Sequence, residues 1–293
     1  MWIIFSILAA FCWSISYIID KYIVTKLVRN PLVPIVALGI FGLAASAAVY
    51  FIHGFSPLSN FNILLSIIAG VIWGFGSIFY FRVVKTEEIS RIVPIYHISP
   101  IFVSIFAGIF LGEIFTPIKY LGIILLVMGA VFVSSKNFLS IKVGKAFWSL
   151  ILSAVFFASS YVLQKYLLNF ADFWTIFAYM RIGSALALAP IMFLYFPELI
   201  RNIKEYGNRV IFAISASEIM NLTALVFIAI AASIGYITLV NTMSSLDSFF
   251  VLLFTVVLSR FFPSILKEEI SKSIILQKVL AISLIFAGVI LIT

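Results

Sequence analysis

Charge is what this chain has least of. Asp, Glu, Lys and Arg make up 10% of its 293 residues, against about 25% in soluble domains. Cysteine is nearly absent as well: Cys12 stands alone, so no disulfide can form within the chain and cysteine usage says nothing about redox compartment. With only two histidines, His53 and His97, a His-Glu-x-x-His zinc helix is excluded. No Gly-x-x-x-x-Gly-Lys-Ser/Thr run is present, which argues against direct ATP-driven pumping. Dispersed Asp and Glu residues make only a weak case for an intramembrane hydrolase, so neither an enzyme nor a cofactor is expected. The formal net charge of +8 is spread along the chain and forms no patch, so nucleic acid is not an expected partner.

What fills the sequence is apolar. Hydrophobic residues make up 64% and the mean hydropathy is +1.23, far outside the range of a soluble domain of this length. The chain therefore reads as an all-α, multi-pass integral protein of the cell membrane, in contact with membrane lipid. Taking about 20 apolar residues as one crossing, ten spans are expected, at 2–24, 31–52, 61–84, 89–111, 117–134, 146–168, 173–196, 210–232, 234–258 and 274–292. The first lacks a basic leader and a small-residue cleavage site and reads as a retained helix. Pro94 and Pro100 are expected to kink the fourth. Gly70-Val71-Ile72-Trp73-Gly74 in the third fits a helix-packing pattern of small residues.

The chain repeats itself. Trp13-Ser14-Ile15-Ser16-Tyr17-Ile18-Ile19-Asp20-Lys21-Tyr22 returns as Phe157-Ala158-Ser159-Ser160-Tyr161-Val162-Leu163-Gln164-Lys165-Tyr166. At helical spacing Trp13, Tyr17 and Lys21 share a face, as do Phe157, Tyr161 and Lys165. A short basic link at 136–145 separates the halves, 1–135 and 146–293, each with five spans. An odd number of spans per copy inverts the second copy in the membrane, an arrangement typical of transporters whose midplane site is exposed to each side in turn. Of nineteen Lys and Arg residues only Lys119, Lys165 and Arg181 fall on the even-numbered side, which puts the odd-numbered loops in the cytoplasm and both termini outside.

These residues resemble the drug/metabolite transporter superfamily and its ten-span EamA-type members. The resemblance rests on Ala9-Ala10-Phe11-Cys12-Trp13-Ser14, on Leu111-Gly112-Glu113 with Tyr120-Leu121-Gly122 and Met128-Gly129-Ala130, on Ala178-Tyr179-Met180-Arg181, and on Phe286-Ala287-Gly288. The second half lacks a Leu-Gly-Glu run and has Lys267-Glu268-Glu269 nearby. The resemblance implies export or exchange of small metabolites.

Ionisable groups deep in spans cost about 2.5–3.5 kcal/mol each on insertion scales and point to function by default. Four are deep here: His97, Arg181, Glu218 and Asp247. His97, Glu218 and Asp247 are candidate proton carriers, and Arg181 a candidate clamp for a substrate carboxylate or phosphate. Plainer roles stand beside these: Arg181 could bridge to Glu218, and His97 could be a packing residue. Asn241, Ser244, Ser245 and Ser248 give Asp247 a polar stripe, and Asn221 lies one turn from Glu218. The candidate substrate-binding set is Trp13, Tyr17, His97, Tyr161, Arg181, Glu218, Asn221, Asn241 and Asp247. The expected function is secondary transport of a small polar or amphipathic metabolite, with the proton as candidate coupling ion, by a monomer or homodimer. The alternative is a flippase for a lipid or lipid-linked sugar.

Overall fold

The structure, a computed structural model, describes residues 1–87, 89, 92, 98–134, 145–261 and 272–292. Its helices are α1 Trp2–Tyr22, continued by a π turn at Ile23–Leu27, α2 Val33–Ile52, α3 Asn60–Val84, α4 Ser99–Leu111, α5 Pro117–Ser134, α6 Lys145–Leu167, α7 Phe173–Tyr206, α8 Asn208–Ile234, α9 Ile237–Ser244, α10 Asp247–Phe261 and α11 Lys272–Ile292. No strand occurs among the described residues. Among the described residues seven stretches are long and apolar enough to cross a membrane: Trp2–Leu27, Val33–Ile52, Asn60–Val84, Lys145–Leu167, Phe173–Tyr206, Asn208–Ile234 and Ile237–Phe261. Three shorter apolar helices accompany them. The outer surface carries Phe51, Ile109, Phe110, Phe193 and Phe212 in the open, an apolar exterior suited to lipid and not to water.

Packing between the halves is reciprocal. The first helix of each half lies on the third of the other, α1 on α8 and α6 on α3, while α2 meets α7 and α5 meets α11. Small residues make the close approaches possible. A methyl group at Gly70 of α3 would stand 2.0 Å from the Met180 carbonyl oxygen of α7, and one at Gly183 of α7 would stand 2.0 Å from the Ile67 carbonyl oxygen. The glycines of the Tyr-Leu-Gly and Phe-Ala-Gly motifs meet in the same way: a methyl at Gly288 would lie 2.7 Å from the Gly122 carbonyl oxygen across the α5–α11 crossing.

Two elements depart from the expected spans. The seventh does not stop near residue 196 but runs through Pro190 and Pro197 to Tyr206. Its final turns bury Leu199 and Asn202 and leave Arg201, Lys204 and Glu205 outside or at the edge, so an amphipathic face continues the helix past the apolar stretch. Arg29 reaches Glu205 there at 3.3 Å. The ninth span is broken: α9 ends at Ser244 and α10 begins at Asp247, joined by three-residue hydrogen bonds at Ser245 and Leu246. The sequence supplies the cause, because Thr242, Ser244 and Ser245 turn their hydroxyls back onto the carbonyls of Thr238 and Asn241 and compete with the regular ladder. The fourth span is described from Ser99, with Pro100 in the first turn of α4; Pro94 lies outside the described residues.

Candidate functional site

The duplicated stretch does two jobs. Its lysines tie helix ends. Lys21 donates to the carbonyl oxygens of Val84 (2.8 Å) and Glu87 (2.6 Å) at the end of α3. Lys165 donates to those of Ala232 (2.6 Å) and Gly235 (2.8 Å) at the end of α8. In each half a cation on the first helix meets the negative end of the third through two carbonyls three residues apart.

The aromatic members of the same stretch face inward. Trp13 and Tyr17 of α1 and Phe157 and Tyr161 of α6 line a cavity of about 50 Å³, joined by Ser16, Asp20, Leu38, Trp73, Ser77, Tyr80, Phe81, Glu218 and Asn221. That is room for a few water molecules. Trp13 Nε1 donates to Asn221 Oδ1 at 3.2 Å, tying α1 to α8. Asp20 is buried, and its Oδ1 accepts from Ser217 at 2.5 Å, while Ser217 Oγ lies 2.9 Å from Ser16 Oγ. Two polar groups on the wall are left over: Glu218 Oε2 and the Tyr80 hydroxyl are buried with no hydrogen-bond partner among the described residues. Leaving such groups unmet in a dry interior costs about 1–3 kcal/mol each, more when charged, so water or a ligand that met them would stabilise the site.

Arg181 stands one layer back. Its guanidinium lies 4.3 Å from the Trp73 ring centre and 5.4 Å from that of Phe177. It is 3% exposed, and its Nε has no hydrogen-bond partner. It does not form an ion pair with Glu218 within 4 Å, although the two are close enough to act on each other electrostatically. Trp73 thus lines the cavity and also carries the guanidinium of Arg181, which is not itself on the wall.

Of the nine residues proposed from sequence, the structure gathers Trp13, Tyr17, Tyr161, Glu218 and Asn221 around the cavity, with Arg181 against the Trp73 ring. Asn241 and Asp247 sit on either side of the break between α9 and α10, both buried. Asn241 Oδ1 lies 3.5 Å from Ser99 Oγ of α4, and Asp247 begins α10 with Ser248 Oγ 3.5 Å from its Oδ1. His97 lies outside the described residues. Sequence reasoning passed over Asp20, Trp73, Ser77, Tyr80 and Ser217. Asp20 had a signal, since it falls one turn from Tyr17 and two from Trp13 on the duplicated face. It is also one of the positions where the copies differ, Asp20 against Gln164.

Leu111-Gly112-Glu113 also gains a physical reading. Gly112 ends α4 with φ 69°, a left-handed conformation that glycine adopts freely. The chain then places the buried Glu113 carboxylate over the start of α9, where it accepts from the backbone N–H groups of Ile237 (2.9 Å) and Thr238 (3.1 Å) and from Thr238 Oγ1 (2.8 Å). A residue of the first half thereby caps a helix of the second, beside the carbonyls that Lys165 holds.

No curated protein matches the chain in sequence. A protein solved by crystallography, 15% identical, superposes over 99% of this chain and 95% of its own with a TM-score of 0.70, a likeness of fold. Residues 1–135 match the EamA-like transporter family, and that match places this part of the chain in the drug/metabolite transporter superfamily.

Proposed function

We propose that the protein is a secondary transporter of the cell membrane that moves a small, water-soluble metabolite by alternating access to the cavity between α1, α3, α6 and α8. In this reading the chain comprises two inverted halves, 1–135 and 146–293, of five spans each, with 136–145 and the other odd-numbered loops in the cytoplasm. The observation that carries it is the cavity itself, walled by equivalent faces of the two copies of one duplicated stretch and holding two buried carboxylates, of which Glu218 has an unmet oxygen. Reciprocal packing of α1 on α8 and α6 on α3 supports it further, because two copies with exchanged partners can trade shapes and so open the cavity to opposite sides. The ring of lysine and glutamate contacts at the ends of α3, α8 and α9 gives each side a set of polar ties to make and break. Proton coupling through the buried carboxylates belongs to the same reading.

The experiment is thermal unfolding of the purified protein in detergent against amines, amino acids, sugars, nucleosides, organic acids and lipid-linked sugars. A ligand that binds only the folded state stabilises it by about 2.7 kcal/mol at a hundred times its Kd. Stabilisation by one water-soluble class, reduced in Glu218→Gln, supports transport of that class. Stabilisation by lipid-linked sugars alone would replace this reading with a flippase.

A further inference from the structure

The chemistry of the cavity wall narrows the substrate class. Among the described residues its polar members are two carboxylates, five hydroxyls, two indole N–H groups and one amide, with no cationic side chain. Trp13 Nε1 is already given to Asn221, and Ser217 donates to Asp20 from behind. The charged groups that this wall presents are therefore two carboxylates, set among hydroxyls and an array of ring faces. Tyr17 and Tyr80 stand with ring centres 5.8 Å apart, and Trp73 and Phe157 with theirs 5.5 Å apart. The quadrupoles of such rings attract cations, as the guanidinium of Arg181 over Trp73 already demonstrates within this protein. An anionic or zwitterionic substrate would find no donor of opposite charge on the wall; Arg181 is held against the Trp73 ring and does not line the space.

Charge balance gives the second strand of reasoning. Asp20 and Glu218 both line the cavity and are 6% and 4% exposed, with one guanidinium near them. Fully ionised, these three groups leave one negative charge in a low-dielectric interior, where an uncompensated charge is costly. A proton or a cation must meet it. The other titratable groups around the pair are Tyr17 on α1, Tyr80 on α3, Tyr161 on α6 and Asp247 on α10; α2 contributes only Leu38 to the wall, and α9 has no titratable side chain. Lys21 follows Asp20 on α1 and sends its ammonium to the end of α3.

Resting on the transport reading above, we infer that the substrate is a small organic cation, an aromatic or alkyl amine in its ammonium form, and that it takes the place of a proton held between Asp20 and Glu218. On binding, the ammonium settles between the carboxylates and against the rings. The O–H bond of the protonated carboxyl breaks, its proton passes to water, and the net charge of the site is unchanged. After the amine leaves on the other side, a proton from that side restores the starting charge.

The test compares three probes of one shape on the unmodified protein in detergent: phenethylammonium, 3-phenylpropionate and phenylalanine. Phenethylammonium is expected to raise the unfolding temperature, 3-phenylpropionate to leave it unchanged, and phenylalanine to act more weakly than the amine. Calorimetry in buffers of different ionisation heat should show about one proton released per amine bound. Glu218→Gln should weaken amine binding about tenfold or more, the effect of losing one charge-assisted contact, and remove the proton release. No stabilisation by phenethylammonium, or stronger stabilisation by 3-phenylpropionate, overturns the cation assignment, and the probe comparison decides this even if the variant does not fold. Amine binding without proton release overturns the exchange step alone. If the amine binds but proteoliposomes do not carry it across, transport fails while the site stands; if they carry 3-phenylpropionate instead, transport stands and the cation assignment fails.

Discussion

Replacing Gly70 by alanine should destabilise the protein even though alanine is the better helix former. The structure supplies both sides of the comparison. A methyl at Gly70 would meet the Met180 carbonyl oxygen at 2.0 Å, the carbonyl carbon at 2.7 Å and Cα at 2.9 Å. Ordinary contact lies near about 3.5 Å, so α3 and α7 must part by more than about 1 Å. These are backbone atoms of a long helix, and no flexible side chain can swing away. Overpacking of this kind costs about 1–3 kcal/mol, against a gain of up to about 1 kcal/mol from helix propensity. The clash wins. At about 2–4 °C per kcal/mol for a chain of this order of size, Gly70→Ala should unfold about 2–8 °C below the parent. Gly108 of α4 is the internal control, because a methyl there would meet only the Glu113 carbonyl oxygen at 3.7 Å, and Gly108→Ala should be neutral or raise the midpoint by a few degrees, about 0.5–1 kcal/mol. Trp73 lies on the same stretch of α3 and Arg181 next to Met180 on α7, so Gly70→Ala should also weaken ligand binding. Gly70→Ala and Gly108→Ala moving the midpoint together, in either direction, would refute the close α3–α7 approach.

The polar ties yield further predictions. Glu113→Gln removes the charge from the cap on α9 and should lower stability by about 1.5–3 kcal/mol in thermal unfolding, with Glu113→Ala lower still. Lys21→Met and Lys165→Met each strip two carbonyl contacts from a helix end and should each cost about 1–3 kcal/mol; because the contacts lie at equivalent places in the two halves, the two variants should shift the reactivity of a cavity cysteine from opposite sides of the membrane. Asp172, which caps α7, feels burial that would raise its pKa, but this is outweighed by bonds from Ser56, from the Thr175 hydroxyl and from the backbone N–H groups of Thr175 and Trp174, so its carboxyl titrates below the ordinary carboxylate range. Its contribution is then full above the unfolded value of about 3.9 and lost as pH falls toward the folded one. Asp172→Asn should start less stable at neutral pH and show a shallower loss on acidification.

The sequence made the membrane class, the duplication and the inward aromatic face legible because each depends on local pattern: hydropathy over a span, identity at a fixed offset, spacing around one helix. Tyr17, Tyr161, Glu218 and Asn221 were reachable on those grounds. Tyr80, Trp73 and Ser77 were not, since α3 is apolar on all sides and nothing in its own pattern says which side meets α6 and α8. Asp20 was hidden by its neighbour, for Lys21 marks the residue pair as a span end although the carboxylate turns inward. The break before Asp247 lay in plain view as Asn241, Ser244, Ser245 and Ser248, but a polar stripe on a straight helix and a hydroxyl-driven break share one composition. The Arg181–Glu218 bridge was reasonable from adjacent spans; the ring of Trp73 takes the guanidinium instead.

Alternating exposure of the cavity is the central claim, and cysteine accessibility tests it most directly. In a Cys12→Ser background, Ser77→Cys places one thiol on the cavity wall. Right-side-out and inside-out membrane vesicles would be treated with a membrane-impermeant maleimide, with and without the most stabilising ligand. The prediction is labelling from both sides, slowed by the ligand in each case. Labelling from one side alone, with or without ligand, would contradict it.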